Sequence, residues 1–276
     1  ILAKIRNNSV KKILSELIKY SQDKKKYTDF IDKFGIPIKE GLYQDHDNRE
    51  DLLELVRFKS TKEDGYVSLS EYCARMKADQ KNIYYITGDN EANLKNSPLL
   101  EMYTDKDIEV LIMDQDIDEF VIPSINKYKE HDLKSVNFSD ATDDLQTDEN
   151  KKEETNLKPL IKKMKKVLGE QVKDVKASSR LKDSPSCIVA DSNDPTAKMQ
   201  ELMKAMGQSG QQDVKPILEI NPSHAIIIKL KDMKKNKSFD NISQLLLDQA
   251  VLLEGAKLQN PTDFVDRLNN ILTKSL

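Results

Sequence analysis

Tryptophan is absent from this 276-residue chain, and cysteine, histidine and glycine are scarce at two, three and eight residues. Two isolated thiols, Cys73 and Cys187, do not make a disulfide framework, so a reducing compartment fits. No run of about 18 apolar residues is present, which excludes a spanning helix, and no signal-peptide pattern opens the chain. Charge of one sign is lacking too: 44 basic against 47 acidic residues leave a net charge of -3. Without a dominant basic face, nucleic acid and membrane surfaces are not expected partners. The glycines stand mostly alone as helix stops and turns, and no GxxxxGK, GxGxxG or HExxH occurs, so neither a phosphate cradle nor a zinc-protease site is expected.

The scarce reactive residues do not assemble into a constellation. His46, His131 and His224 are far apart and lack the spacing of a metal site. Asp114, Asp116 and Asp118 alternate as in a calcium loop, but Glu119 stands where the sharp turn needs glycine, and Ile125 where the distal carboxylate is required. They read as solvated carboxylates near a helix start. Cys187, just after Ser184-Pro185-Ser186, would be a nucleophile only beside a base, which the sequence does not indicate.

What is abundant is charge patterned for helices. A third of the residues are charged and 38% hydrophobic, and the length allows two domains with sizeable cores. Ile1, Leu2, Ile5, Ile13, Leu14, Leu17 and Ile18 form a helical stripe from the first residue, which reads as the cut start of a longer protein. A second helix carries Tyr27, Phe30, Ile31 and Phe34 before a stop at Gly35. Asp47 with Glu50, and Ser68 with Glu71, have capping-box spacing. Asn82 to Thr87 and Ile108 to Met113 are short β-rich runs separated by a helical stretch, predicting a strand, crossover, parallel strand unit. Residues 1–138 therefore read as an α/β domain.

From Ser139 to Glu154 the chain is acidic and polar with one sizeable apolar residue, Leu145, and reads as a linker. Residues 155–276 read as a mixed α+β domain. A helix at Leu157 to Leu168 turns Lys162, Lys163, Lys165 and Lys166 to solvent. Strands follow at Val172 to Ala177, Cys187 to Ala190 and Ile217 to Ile220, with Asn221-Pro222 as the expected start of a helix carrying Ile226, Ile227, Leu230 and Met233. The end is a helical hairpin. One helix carries Ile242, Leu245, Leu246, Ala250 and Leu253 and stops at Gly255; the other opens at Asn260-Pro261 and carries Phe264, Val265, Leu268, Ile271 and Leu272. Its apolar stripes either cover the local sheet or pair with a second copy as a four-helix bundle. The dimer reading nominates Leu245, Leu246, Leu253, Phe264, Leu268, Ile271 and Leu272.

One stretch stands apart, Asp194 to Gly210. Asp194 suits an N-cap, Pro195 the first helical position and Gly207 a helix stop. Met199, Leu202, Met203 and Met206 are spaced to share one face, opposite Lys198, Gln200, Glu201 and Lys204. Unbranched thioethers adapt to partners of differing shape. The stripe is either a sticky surface or a lid on its own core, and periodicity leaves both open.

The stretches ILAKIRNNSVKKIL, FGIPIKEG, LLELVRFKST, SLSEYCARMK, KNIYYITGDN, IEVLIMDQDIDE, RLKDSPSCIVA, ILEINPSHAI and LLLDQAVLLEG resemble the bacterial branch of the heat shock protein 90 family of chaperones, over almost the whole chain and in order. The resemblance implies a homodimeric, ATP-driven, cytoplasmic chaperone, of which this chain is the distal middle domain and the C-terminal dimerisation domain. ATP and magnesium would bind in an N-terminal domain outside this chain, and the family's middle-domain catalytic arginine would lie just upstream, so no catalysis and no cofactor are expected here. The resemblance also makes Met199, Leu202, Met203 and Met206 a surface for partly folded client proteins in the dimer cleft. It adds Glu119 and Phe120 at the middle-domain edge, where Phe120 replaces the family's usual tryptophan, and Pro123 also departs from the family pattern. Cys187 matches a conformational switch point. The alternative of a different class is an enzyme with an interdomain site built on carboxylates such as Asp116 and Glu119, for which no motif speaks.

Overall fold

The computed structural model describes residues 1–207 and 214–275 and divides into two compact units, residues 1–91 with 108–134, and 92–107 with 135–276. The fold is mixed α/β, with two small mixed sheets.

In the first unit, helices α1 (Leu2–Tyr20) and α2 (Lys24–Gln44) form a hairpin, followed by α3 (Arg49–Leu55), strand β1 (Lys59–Ser60), α4 (Leu69–Arg75) and β2 (Asn82–Thr87). Helix α2 does not stop at Gly35 but runs on through Pro37. Glycine serves approach instead: a Cβ on Gly41 would meet the Leu52 side chain of α3 at 3.2 Å. Asp47 does not cap α3, because residues 46–48 form a 3-10 turn and Asn48 precedes the helix without a side-chain cap. The capping box at Ser68 and Glu71 forms as the spacing predicts.

The chain crosses through α5 (Glu91–Lys95) and α6 (Glu101–Asp105) to β3 (Val110–Met113), then α7 (Asp116–Val121), β4 (Lys127–Tyr128) and β5 (His131–Ser135). Strand order is β1-β3-β2-β5-β4. β2 and β3 are parallel, Tyr84 opposite Val110, so the expected crossover unit is present. Both strands are buried over nearly their whole length, which is why they read as continuous apolar runs and not as an alternation. Tyr72, fully buried, donates its hydroxyl to the Glu109 carbonyl at 2.7 Å and accepts the Tyr84 N–H at 3.0 Å, fixing α4 to both strands.

The second unit contains α8 (Asp148–Leu168), β6 (Asp174–Ala177), β7 (Ser186–Val189), α9 (Ala197–Ala205), β8 (Ile217–Ile220), α10 (Ala225–Asp232), α11 (Lys237–Leu253) and α12 (Pro261–Ser275). The sheet order is β6-β8-β7, with β6 parallel and β7 antiparallel to β8. The core joins Leu160, Met164 and Leu168 of α8 to Leu218, Ile220, Ile227, Phe239 and Leu246. The acidic stretch 139–154 carries more structure than its composition suggests: Ala141 and Thr142 are buried, and α8 begins inside it. Asn221 does not cap α10, which starts after His224. Its buried amide instead donates to the carbonyls of Lys182 and Ser184, both at 3.0 Å.

Candidate functional site

Helix α9 is shorter than its sequence pattern. Its cap is Thr196, whose hydroxyl accepts the Met199 N–H at 3.0 Å, and not Asp194. Asp194 is drawn away by Lys173, with Nζ at 2.7 Å, and Pro195 lies before the cap. At the other end Met206 is the last helical neighbour and Gly207 takes φ +83°, the left-handed turn expected of a helix stop. Gln208 to Gly210, the tail of the stretch singled out in the sequence, lie outside the described residues.

No residue of α9 is buried. Met199, Leu202 and Met203 are partly covered and Met206 is 57% exposed. The root of the helix is held: Thr196 is buried, and Gln200 accepts the Val214 N–H at 3.1 Å. Beside that root lies a cavity of about 160 Å³ walled by Ile188, Val189, Pro195, Ala197 and Val251. An apolar stripe of flexible thioethers thus runs along a helix with a held N-terminal end and no buried residue.

The C-terminal hairpin divides the seven nominated interface residues. Leu245 and Leu246, at 6% and 2% exposed, are sealed within the chain itself; α11 lies along β7 and α8, and Leu246 joins their core. Leu253 and Leu272 are 52% and 49% exposed, and Phe264, Leu268 and Ile271 are half-buried. Leu252 and Val265, which the nomination passed over, are exposed as well. Arg267 of α12 pairs with Asp248 of α11 at 2.8 Å, holding the hairpin closed.

Of the pair at α7, Glu119 is buried at 5% exposure and Phe120 is half-buried. The preceding Asp118 is fully buried and not solvated: Lys39 Nζ lies 2.7 Å from its carboxylate. Burial raises its pKa against the opposing pull of Lys39. Asp116 is exposed while Glu119 is buried, so the two carboxylates of the enzyme reading occupy different surroundings.

Cys187 is buried on β7, 4.0 Å from the Glu219 carboxylate. Burial, with that carboxylate adding to it, pushes the thiol well above its ordinary range, the opposite of an activated nucleophile. Around it is a network that sequence reading missed. Arg180, wholly buried, donates Nε to Glu219 at 3.0 Å and its two terminal nitrogens to the carbonyls of Val136 and Phe138 at 2.6 and 2.9 Å. Ser178 donates to the same carboxylate at 2.8 Å. The only signal for it was a lone glutamate in the apolar run of β8. Among the described residues no group of histidine, cysteine and carboxylate side chains could hold a metal, and no helix is long and apolar enough to cross a membrane.

The model of the Hsp90 protein family matches residues 1–276. The chaperone protein HtpG of Treponema denticola is 50% identical over 282 residues, covering 99% of this chain and 44% of that protein. Its counterpart in Treponema pallidum is 45% identical, covering 99% of this chain and 44% of the relative, and that of Borrelia garinii subsp. bavariensis is 44% identical, with 100% and 45% covered. The chain therefore spans less than half the length of these relatives.

Proposed function

The chain belongs to the Hsp90 protein family, and from that premise we propose that it is the client-holding and dimer-forming part of a chaperone. The observation that carries the proposal is the incompletely covered stripe of α9, in which Met199, Leu202 and Met203 are only partly covered, Met206 is exposed, and none is buried by the chain itself. Such a side chain contributes about 1.5–3 kcal/mol when fully buried, but association and ordering costs consume much of the sum. What remains suits weak, sequence-tolerant contact with partly folded proteins.

The exposed leucines Leu252, Leu253 and Leu272, with Val265, support pairing of the α11–α12 hairpin with a second copy, the interface being this outer face and not Leu245 or Leu246. Two copies would present two α9 helices, raising avidity through effective concentration. Phe120 is the candidate for a second, smaller contact, with buried Glu119 as its support. Cys187 is proposed as a packing position in a hinge. ATP turnover belongs, on this reading, to parts of the family's chain beyond these 276 residues.

Light scattering of a heat-denatured client tests the assignment. Met199→Glu together with Met203→Glu is expected to remove most suppression of aggregation while sedimentation stays that of the wild type. Leu253→Glu with Leu272→Glu should instead shift sedimentation to the monomer. Unchanged suppression by the first pair would overturn the client surface; unchanged sedimentation of the second would overturn the dimer face.

A further inference from the structure

The first unit contains a cavity of about 290 Å³ that the chaperone reading does not use. Its inner wall is Ile18, Tyr27 and Ile31; hydroxyls come from Ser21, Thr28, Ser68 and Ser70. Four charged side chains face it, Lys24 and Arg57 against Glu54 and Glu71. Three of the four are matched. Lys24 pairs with Glu71, which also takes the N–H of Ser68 at 2.8 Å; these bonds outweigh burial and hold Glu71 down at about 2. Glu54 accepts the Tyr128 hydroxyl at 2.6 Å, with Lys129 3.8 Å away.

Arg57 is the exception. One terminal nitrogen donates to the carbonyls of Glu54 and Val56, at 2.8 and 2.9 Å, and the guanidinium lies 4.7 Å over the Tyr27 ring. No carboxylate pairs with it among the described residues. Glu71 and Glu54 act on it through space without contacting it; partial burial makes a cation with no carboxylate in contact costly, and the planar fork of a guanidinium suits two oxygens of one oxyanion. The two buried cations among the described residues each have a carboxylate, Lys39 with Asp118 and Arg180 with Glu219.

We propose that this cavity binds a small organic oxyanion, its charged head on Arg57 and the cavity's hydroxyls, its apolar body against Ile18, Tyr27 and Ile31. The volume is that of a compact ligand site. A carboxylate head could come from a free organic acid or from the terminus of a peptide, and the two sources differ in what surrounds the head.

Calorimetric titration of this chain with benzoate, N-acetylphenylalanine and N-acetylphenylalaninamide tests the site. Saturable binding of at least one acid is expected, with none of the neutral amide. Tighter binding of N-acetylphenylalanine assigns the head to a peptide terminus, tighter binding of benzoate to a free acid. Arg57→Gln should weaken the acid about tenfold or more, as loss of a charge-assisted bidentate contact does, while Lys25→Gln, exposed and outside the cavity wall, should change nothing. Because Arg57 also ties down two carbonyls, Ser70→Ala is the companion variant should Arg57→Gln not fold, and it should weaken binding severalfold. No saturable binding of either acid by the wild type, equal binding of acid and amide, or full binding by Arg57→Gln overturns the proposal.

Discussion

Helices α9 and α11 share one sequence pattern, apolar residues at intervals of three and four along one face. Yet α11 buries Phe239, Leu245, Leu246, Leu247 and Ala250, and α9 buries nothing. Both lie in the second unit. They differ in what passes beside them: α11 lies along β7 and α8, whereas α9 has a buried cap, Thr196, and a bond from Gln200 to Val214 near its root but no buried side chain of its own. Amphipathicity states that a face wants cover and leaves open who supplies it. Where the chain supplies it, the stripe is core; where it does not, the stripe stays partly exposed.

The largest effect should come from the covered side. Glu219→Leu leaves Arg180 buried without its carboxylate, and such a loss costs about 3–5 kcal/mol. Denaturant unfolding should show it, and the double variant Arg180→Leu, Glu219→Leu should recover part. A change below about 1 kcal/mol in the single variant would show that water or a shifted partner replaces the pair.

Next in size is the direct contrast. Leu246→Ala should cost about 2–5 kcal/mol, as cavity-forming core substitutions do, whereas Met203→Ala should stay within about 0.5 kcal/mol. Equal costs in urea unfolding would erase the distinction drawn between the two helices.

The smallest effect is local. Thr196→Ala removes the α9 cap, worth about 0.5–2 kcal/mol to that helix. Amide exchange in Ala197–Ala205 should accelerate while the global unfolding midpoint holds, because the helix is anchored at one end and contributes little to the core.

Where pattern and partner coincide, the sequence was legible. The parallel pairing of β2 and β3, the Ser68–Glu71 box, the Gly255 stop and the start at Asn260-Pro261 follow from local chemistry, and each is found. Local signals failed where a distant group competed. Asp194 was claimed by Lys173 and Asn221 by the 182–184 loop, so neither caps the helix its spacing suggested, and Asp118, paired with Lys39 and accepting the Gln115 N–H at the start of α7, is not the solvated carboxylate expected. Gly35 failed as a stop because the packing of Tyr27, Ile31, Ile38 and Leu42 along one face of α2 outweighs the weak helix propensity of one glycine.

By itself the amino-acid order determined the family, the mixed α/β class and the existence of an apolar face on α9 and on the terminal hairpin, since these rest on periodicity and on short stretches that recur in order. Tertiary structure alone decided which apolar residues are spent inside, sealing Leu245 and Leu246 while leaving Leu253, Leu272 and Met206 outside. It alone assembled Arg180 with Glu219 and left Arg57 on a cavity wall with no carboxylate in contact with it among the described residues. Burial and charge pairing depend on residues far apart along the chain, and no local pattern encodes the distance between them.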